Sequence, residues 1–214
     1  MVTKFILYAC PTGQLADQID AYFEAVKTNF SWNPAQDYMP HCSLTGFFHD
    51  NAAAAQHYTL ALEEILAQMR PTQPDPVMRV SGMFFDSDFH GFTLQSSWLT
   101  DLTEAFAATT CSKTRREAIR IKEWLHLSLA YRFKSDEHSA LKAMAQQRIN
   151  PQAAVGWDLR FYQRQDGNRW TCHGCWSLSE SSHRTLDRPP CLTVITSAAA
   201  APPACLHLNP DRKS

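Results

Sequence analysis

Two short runs of the chain each place a histidine two residues before a serine, with a leucine directly after the serine. Both runs lie in apolar stretches that favour β-strands, and alternate side chains of a strand point to the same face. The side chains expected to share a face are His41, Ser43 and Thr45 in the first run and His126, Ser128 and Ala130 in the second. A histidine and a hydroxyl on the same face are unusual in a fully buried strand, where side chains are mostly apolar. The repeated pattern therefore predicts one groove where two imidazoles and two serine hydroxyls meet.

Two imidazoles suit the cleavage of a phosphodiester. One group must take a proton from the attacking oxygen, and another must give a proton to the leaving oxygen. Imidazole titrates near neutral pH, so a neutral and a protonated histidine can divide the two tasks. Hydroxyls two residues further along each strand can donate hydrogen bonds to the nonbridging phosphate oxygens. This chemistry needs no metal and no cofactor, although either histidine alone would more often be a structural residue.

Composition narrows the classes of partner. The chain has 214 residues, 44% of them hydrophobic, and a formal net charge of −1, which is typical of a soluble globular protein. A neutral chain with few basic residues does not favour long nucleic acid, and no apolar run reaches the length of a membrane span. The seven cysteines are odd in number and mostly lie in apolar surroundings, as in a reducing compartment. We expect a cytoplasmic monomer whose ligand is small.

Hydrophobic periodicity predicts alternating strands and helices. In chain order the predicted elements are a strand at Phe5–Cys10, a helix with a stripe from Leu15 to Phe30, the first histidine strand, a helix at Ala52–Met69, a hairpin of Val77–Phe85 and Phe89–Gln95, a helix at Trp98–Thr109, the second histidine strand at Trp124–Phe133, a helix from Ser135 to Ile149, and a hairpin of Val155–Gln163 and Arg169–Leu178 that turns at Asp166–Asn168. Residues 179–214 are rich in Ser, Pro and Ala, and we expect this tail to be extended or disordered.

The order of these elements in the first half resembles that in the second. Such a pattern predicts an α+β fold with two pseudo-symmetric lobes over residues 1–178. In this fold the antiparallel sheets would line a central groove, and the helices would cover the outer apolar faces.

The sequence resembles the 2H phosphoesterase superfamily, whose LigT-like members carry two His-x-Ser/Thr motifs on duplicated α+β lobes. Within it, the chain is most similar to the phosphoesterase domain of the TULA/Sts signalling proteins. The stretches that carry this likeness lie at residues 8–13, 40–48, 124–131 and 157–162. The resemblance implies that His41 and His126 are the catalytic pair and that Ser43 and Ser128 hold the phosphate. It also implies a 2′,3′-cyclic or 2′-5′-linked phosphodiester as substrate.

Other side chains are candidates for contact with the substrate. They are Thr45, Phe47, Tyr8, Tyr131, Phe92 and Lys122. The aromatic members could stack on a base, although aromatic residues in strands are more often core. Lys122 precedes the second histidine strand with Arg120 and Arg115, and these cations either approach a phosphate or form a solvated loop.

Several alternatives stay open at this point. The substrate could be a 2′,3′-cyclic mononucleotide, an RNA end, a cyclic dinucleotide or a 2′-5′ oligoadenylate. The chain could instead be a non-catalytic module that binds a nucleotide or a protein. Cys172 and Cys175, two residues apart around His173 and Gly174, are typical of half a zinc or redox site, but no second such pair follows, so we predict no metal.

Overall fold

A computed structural model of the chain describes residues 2–165 and 169–179, and the backbone of residues 195–196. These described residues form a mixed α+β structure with four α-helices and an antiparallel sheet. The strands are β1 (Val2–Thr12), β2 (Cys42–Ser43), β3 (Phe48–Asn51), β4 (Arg79–Phe85), β5 (Phe89–Gln95), β6 (His126–Tyr131), β7 (Gly156–Gln165), β8 (Arg169–Ser177) and β9 (Ile195–Thr196). The helices are α1 (Gln14–Asn29), α2 (Ala55–Met69), α3 (Ser97–Thr109) and α4 (His138–Arg148).

Local sequence explains where the elements begin and end. Gly13 has a φ of 77°, a conformation that costs glycine little, and it turns the chain from β1 into α1. The Ser96 side chain accepts a hydrogen bond from the Leu99 amide at 3.1 Å, which caps the start of α3. The predicted helices and hairpins are therefore present, with ends shifted by a few residues.

The sheet has the order β4-β5-β6-β2-β1-β7-β8-β9, and β3 pairs with the other part of β1. The two histidine strands, β2 and β6, are direct neighbours near its centre. The hairpin β4–β5 joins β6, whereas the hairpin β7–β8 joins β1. The central strands β6, β2 and β1 are thus flanked by one hairpin on each side. The predicted α+β class agrees with this combination of helices and an antiparallel sheet.

All four helices contribute to one hydrophobic core on one face of the sheet. Phe5, Leu7 and Ala9 of β1 point into it, and none of the three is exposed to solvent. The intervening Ile6 and Tyr8 point to the opposite face, where they join a smaller aromatic cluster. Because β1 is buried on both faces, it reads as a continuous apolar run rather than an alternating one.

Two irregularities change the predicted faces. The chain bends at Leu44, so the first histidine strand is short, although Thr45 still pairs with Ile121 in an isolated bridge. In β6 the pairing partners skip Leu129, because His90 and Gly91 of β5 pair with Ala130 and Ser128. This bulge corrects the prediction for Ala130, which lies in the helix-side core rather than beside His126 and Ser128. An extra residue in one strand reverses the facing of all residues beyond it.

Some predictions fall outside the described residues. The turn predicted at Asp166–Asn168 does so, and so does most of the tail predicted from residue 179. Within the tail, β9 pairs with Arg169 and Trp170 of β8. No helix in the described part of the chain is both long and apolar enough to cross a membrane.

Candidate active site

The pairing of the two histidine strands places their functional side chains in one square. Cys42 pairs with Leu127 in antiparallel register, and the residues on either side of this pair face the opposite surface from it. By that register His41 stands opposite Ser128. Directly opposite side chains have Cβ atoms about 5 Å apart. The first histidine therefore lies beside the hydroxyl of the second motif.

The same register places Ser43 opposite His126. The two histidines consequently occupy one diagonal of the square, and the two serines occupy the other. Diagonal neighbours in an antiparallel pair are about 7–8 Å apart at Cα. A gap of this size holds a tetrahedral phosphate between two imidazoles, with a hydroxyl on each remaining side.

All four side chains open into one cleft of about 300 Å³. The lining residues are Ile6, Tyr8, Phe23, Ala35, Tyr38, Met39, His41, Ser43, Thr45, Gly46, Phe47, Phe89, Arg120, Lys122, His126, Ser128 and Tyr131. The structure thus brings together most of the candidates that the sequence suggested. The volume suits a small ligand rather than a polymer.

The two imidazoles are oriented in the same way. Nδ1 of His41 lies 2.8 Å from the carbonyl oxygen of Met39, and Nδ1 of His126 lies 3.2 Å from that of Trp124. A carbonyl oxygen only accepts hydrogen bonds, so Nδ1 of each neutral ring carries the proton. Nε2 is then the basic nitrogen of each ring. The repeated contact to the residue two positions earlier prepares both rings for proton exchange at Nε2.

Burial depresses the basicity of both histidines. The pKa of His41 falls to about 4, mainly because its ring is removed from water and also because of the nearby His126 charge. The pKa of His126 is lowered by burial and by the positive charge of Lys122. Hydrogen bonds to the Met39 and Trp124 carbonyls oppose these shifts. At neutral pH His41 is therefore unprotonated and able to accept a proton.

Aromatic rings support each histidine. The His41 ring lies 4.0 Å from the ring of Tyr8 and 5.6 Å from that of Tyr38, measured between centroids. The His126 ring lies 4.2 Å from that of Trp124 and 5.4 Å from that of Phe89. These contacts restrict the tilt of both imidazoles, because a packed ring has little freedom to rotate.

The aromatic side of the cleft next to His41, formed by Tyr38 and Phe47, packs against the cation Arg164. The guanidinium of Arg164 lies 5.8, 5.7 and 5.4 Å from the ring centroids of Tyr38, Phe47 and Trp170 respectively. It also donates a hydrogen bond to the Tyr38 hydroxyl at 3.3 Å. Such cation–π contacts stabilise the position of the rings. Tyr38 and Phe47 line the cleft, so this wall is a preformed apolar surface.

The wall beside His126 depends on the β6 bulge. Tyr131 pairs with Phe89 of β5, and their rings stack at 6.2 Å. Without the extra residue Leu129, Tyr131 would point away from His126, because the two residues are five positions apart. The bulge therefore brings a second aromatic pair into the cleft, opposite the first.

Two candidates, Phe92 and Thr45, make contacts with the protein that the sequence did not indicate. Phe92 is only 1% exposed, pairs with Leu127 and belongs to the helix-side core, so the structure does not bring it to the cleft. Thr45 reaches the cleft, but its hydroxyl accepts a hydrogen bond from the Leu7 amide at 3.0 Å. Its side chain thus ties the two strands together.

The remaining cysteines do not build a larger cluster in the described structure. Within residues 2–165 and 169–179, no group of three or more His, Cys, Asp or Glu side chains is arranged to hold a metal ion. Cys175 approaches Asp158 instead, with its sulfur 3.7 Å from a carboxylate oxygen.

The chain is similar to several known proteins. It is 26% identical over 195 residues to the ecdysteroid-phosphate phosphatase of Drosophila melanogaster, which covers 75% of this chain and 26% of that protein. Its counterpart in Bombyx mori is 25% identical over 182 residues, covering 83% of this chain and 26% of that protein. Human ubiquitin-associated and SH3 domain-containing protein B is 25% identical over 164 residues, covering 75% of this chain and 25% of that protein.

These relatives are consistent with the predicted likeness to the TULA-related phosphoesterases. The chain spans about a quarter of the length of the curated relatives it matches. No protein-family model matches it.

Several cleft residues were missed by the sequence reasoning. Tyr38 and Met39 follow a short 3₁₀ turn at Pro34–Asp37, and Phe89 opens a strand that was read only as part of a hairpin. The sequence carries no signal for the carbonyl contacts of Met39 and Trp124, because any residue type offers a backbone carbonyl.

Proposed function

We propose that this chain is a metal-independent phosphodiesterase that hydrolyses a small nucleotide with a 2′,3′-cyclic or 2′-5′-linked phosphodiester. The observation that supports it best is the diagonal placement of His41 and His126, each directly opposite a serine of the other motif. A phosphate held in this square would meet a proton acceptor, a proton donor and two hydroxyls. The two imidazoles supply the complete acid–base requirement of phosphodiester cleavage.

The environments of the two rings favour different roles. His41 has a pKa of about 4, so it remains neutral and fits the general base that deprotonates water or a neighbouring ribose hydroxyl. His126 fits the general acid that protonates the departing ribose oxygen. A bound phosphate anion raises the pKa of an adjacent imidazole, so the substrate itself would favour the protonated form of His126. The Lys122 charge then makes that proton easier to release.

The aromatic lining supports a nucleotide as the small ligand. Tyr38 and Phe47 form a flat surface on one side of the dyad, and Phe89 and Tyr131 form another. Aromatic side chains stack on any base, at about 1–3 kcal/mol per base. The likeness to 2H phosphoesterases and the phosphatase names of two relatives agree with phosphoester chemistry. Those names refer to a steroid phosphate ester, so an ecdysteroid phosphate is the substrate against which the nucleotides are compared in the test below.

The proposal is tested by product analysis with a substrate panel. The panel contains 2′,3′-cyclic AMP, 2′-5′-linked diadenylate, a 2′-5′-linked cyclic dinucleotide and an ecdysteroid phosphate. Mass spectrometry follows the products with and without EDTA. We expect turnover of at least one nucleotide phosphodiester that survives EDTA and is lost in His41→Ala and His126→Ala. Cleavage of the steroid ester alone would overturn the proposal, and tight nucleotide binding without any product would favour a non-catalytic module.

A further inference from the structure

The segment that precedes the second histidine strand runs beside the first one. The Gly46 amide donates to the Arg120 carbonyl at 2.8 Å, and the Lys122 amide donates to the Leu44 carbonyl at 2.9 Å. Thr45 and Ile121 form a bridge between these two contacts. Residues 120–122 are therefore fixed like a short strand, and Arg120 and Lys122, two positions apart, point to the same side.

Both side chains line the cleft. A methyl group built on Gly46 would lie 3.0 Å from Nε and 3.1 Å from Nη2 of Arg120. The guanidinium thus lies directly over the Gly46 backbone, in space that any other residue would fill. Lys122 is close enough to His126 for its charge to lower the pKa of that ring. The two cations therefore extend from the edge of the dyad toward Gly46.

Neither cation forms an ion pair with a residue in the described part of the chain. In the described part of the chain the ion pairs join Lys27 to Glu24, His49 to Glu117 and Arg160 to Asp158. The lining of the cleft contains no Asp or Glu from that part either. A chain with a net charge of −1 thus presents, in the cleft that holds the two histidines, two positive side chains that no described carboxylate pairs with. Clefts of one sign concentrate ligands of the opposite sign.

The phosphate between the histidines does not require both cations. A scissile phosphodiester carries one negative charge, and the two serine hydroxyls already face it. Gly46 lies four residues beyond Cys42, so their backbones are at most roughly 13 Å apart. The Arg120 guanidinium lies against the Gly46 backbone and lines the same cleft as the two histidines. Arg120 is thus placed for a different anionic group from the one being cleaved.

We propose that Arg120 and Lys122 form a second phosphate subsite, so that the cleft takes a nucleotide with a phosphate in addition to the scissile one. This inference rests on the proposed function and refines its substrate class. It favours a phosphorylated 2′-5′-linked oligonucleotide or a cyclic dinucleotide over a 2′,3′-cyclic mononucleotide, which has a single phosphate. A guanidinium is well suited to the task, since it can donate two parallel hydrogen bonds to phosphate oxygens.

The test compares two ligands that differ by one phosphate, namely 2′-5′-linked diadenylate with and without a 5′-phosphate. Dissociation constants are measured by calorimetry on the His41→Asn background, which we expect to bind without turnover, and rates are measured on the wild type. We expect the 5′-phosphate to tighten binding about tenfold. Arg120→Ala should abolish most of that ratio, and Lys122→Ala should reduce it. Arg116→Ala is the matched control, because Arg116 is an exposed cation of the same segment outside the cleft lining.

A second variant, Gly46→Ala, keeps the positive charge of Arg120 but displaces its guanidinium. Gly46→Ala forces the guanidinium to shift by a few tenths of an ångström, so the ratio should fall below that of the wild type. Equal affinity for both ligands, or an equal loss of ratio in the Arg116 control, would overturn the subsite. A retained ratio with no turnover of either ligand would instead refute the catalytic proposal and leave the subsite standing.

Discussion

Replacing Tyr8 with leucine is expected to raise the pKa of His41. The Tyr8 ring is 1% exposed and lies 4.0 Å from the His41 ring between centroids. Removal from water is the main reason why the pKa of His41 is about 4. With that pKa, only about one molecule in 300 carries a protonated His41 at pH 6.5, whereas an ordinary histidine would be half protonated. Leucine fills part of the space but leaves one ring face open to water.

The pKa of His41 should rise by about one pH unit or more in Tyr8→Leu. A general base is active only when unprotonated, so activity is lost as the pH falls through its pKa. The acid limb of kcat/KM, which reports the free enzyme, should therefore move to higher pH by the same amount. Tyr8→Phe keeps the ring and is the matched control, with a pKa close to that of the wild type.

The measurement is an NMR titration of the imidazole Cε1–H signals, with His41 assigned from its loss in His41→Gln. The pH profile of kcat/KM on the best substrate of the panel is recorded for the same variants. A wild-type His41 that titrates near 6.5 would refute the claim that burial controls this group. An unchanged pKa in Tyr8→Leu would refute the assignment of that burial to Tyr8.

Three further predictions concern the frame around the cleft. Thr45→Val leaves the Leu7 amide without its partner, which should cost about 1–3 kcal/mol and lower Tm by several degrees in a melting experiment. His90 is fully buried and its pKa is about 4, so between about pH 4 and 6.5 the unfolded chain binds a proton that the folded chain does not. The free energy of unfolding should therefore fall as the pH drops through that window. His90→Leu should reduce the slope of this dependence, measured by denaturant titrations, by about 1.4 kcal/mol per pH unit. Gly91→Ala would place a methyl group against the Leu127 carbonyl oxygen, and should destabilise the protein by about 2 kcal/mol or more. An unchanged Tm would show that β5 and β6 can move apart at this point without a cost in stability.

The dyad itself was accessible from the sequence. Period-two alternation places His41 with Ser43 and His126 with Ser128. A polar pair on each of two otherwise apolar strands favours a shared cleft over a buried core. Their diagonal pairing was not accessible, because it depends on the register Cys42–Leu127. Register between strands that are distant in sequence is fixed by the packing of the whole sheet rather than by local propensity.

The errors have physical causes that act beyond a single strand. The prediction placed Ala130 on the face of His126, but the bulge at Leu129 reverses the alternation. No residue type in this strand predicts a bulge of this kind. Phe92 was proposed as a stacking residue from its type alone, although its partner Leu127 faces the helices. Arg120 could be placed only when the bridge between Thr45 and Ile121 was known, because loop conformation is set by such long-range contacts.

The central claim is that His41 and His126 act together on one phosphate, and a double-mutant cycle tests it most directly. Single-turnover rates are measured on the best phosphodiester of the panel for the wild type, His41→Gln, His126→Gln and the double variant. Each single substitution should lower the rate by about 10²–10⁴, and the double variant should lose little more, because residues that act as a unit are not additive. Substantial activity in either single variant, or losses that multiply in the double variant, would contradict a shared site of action.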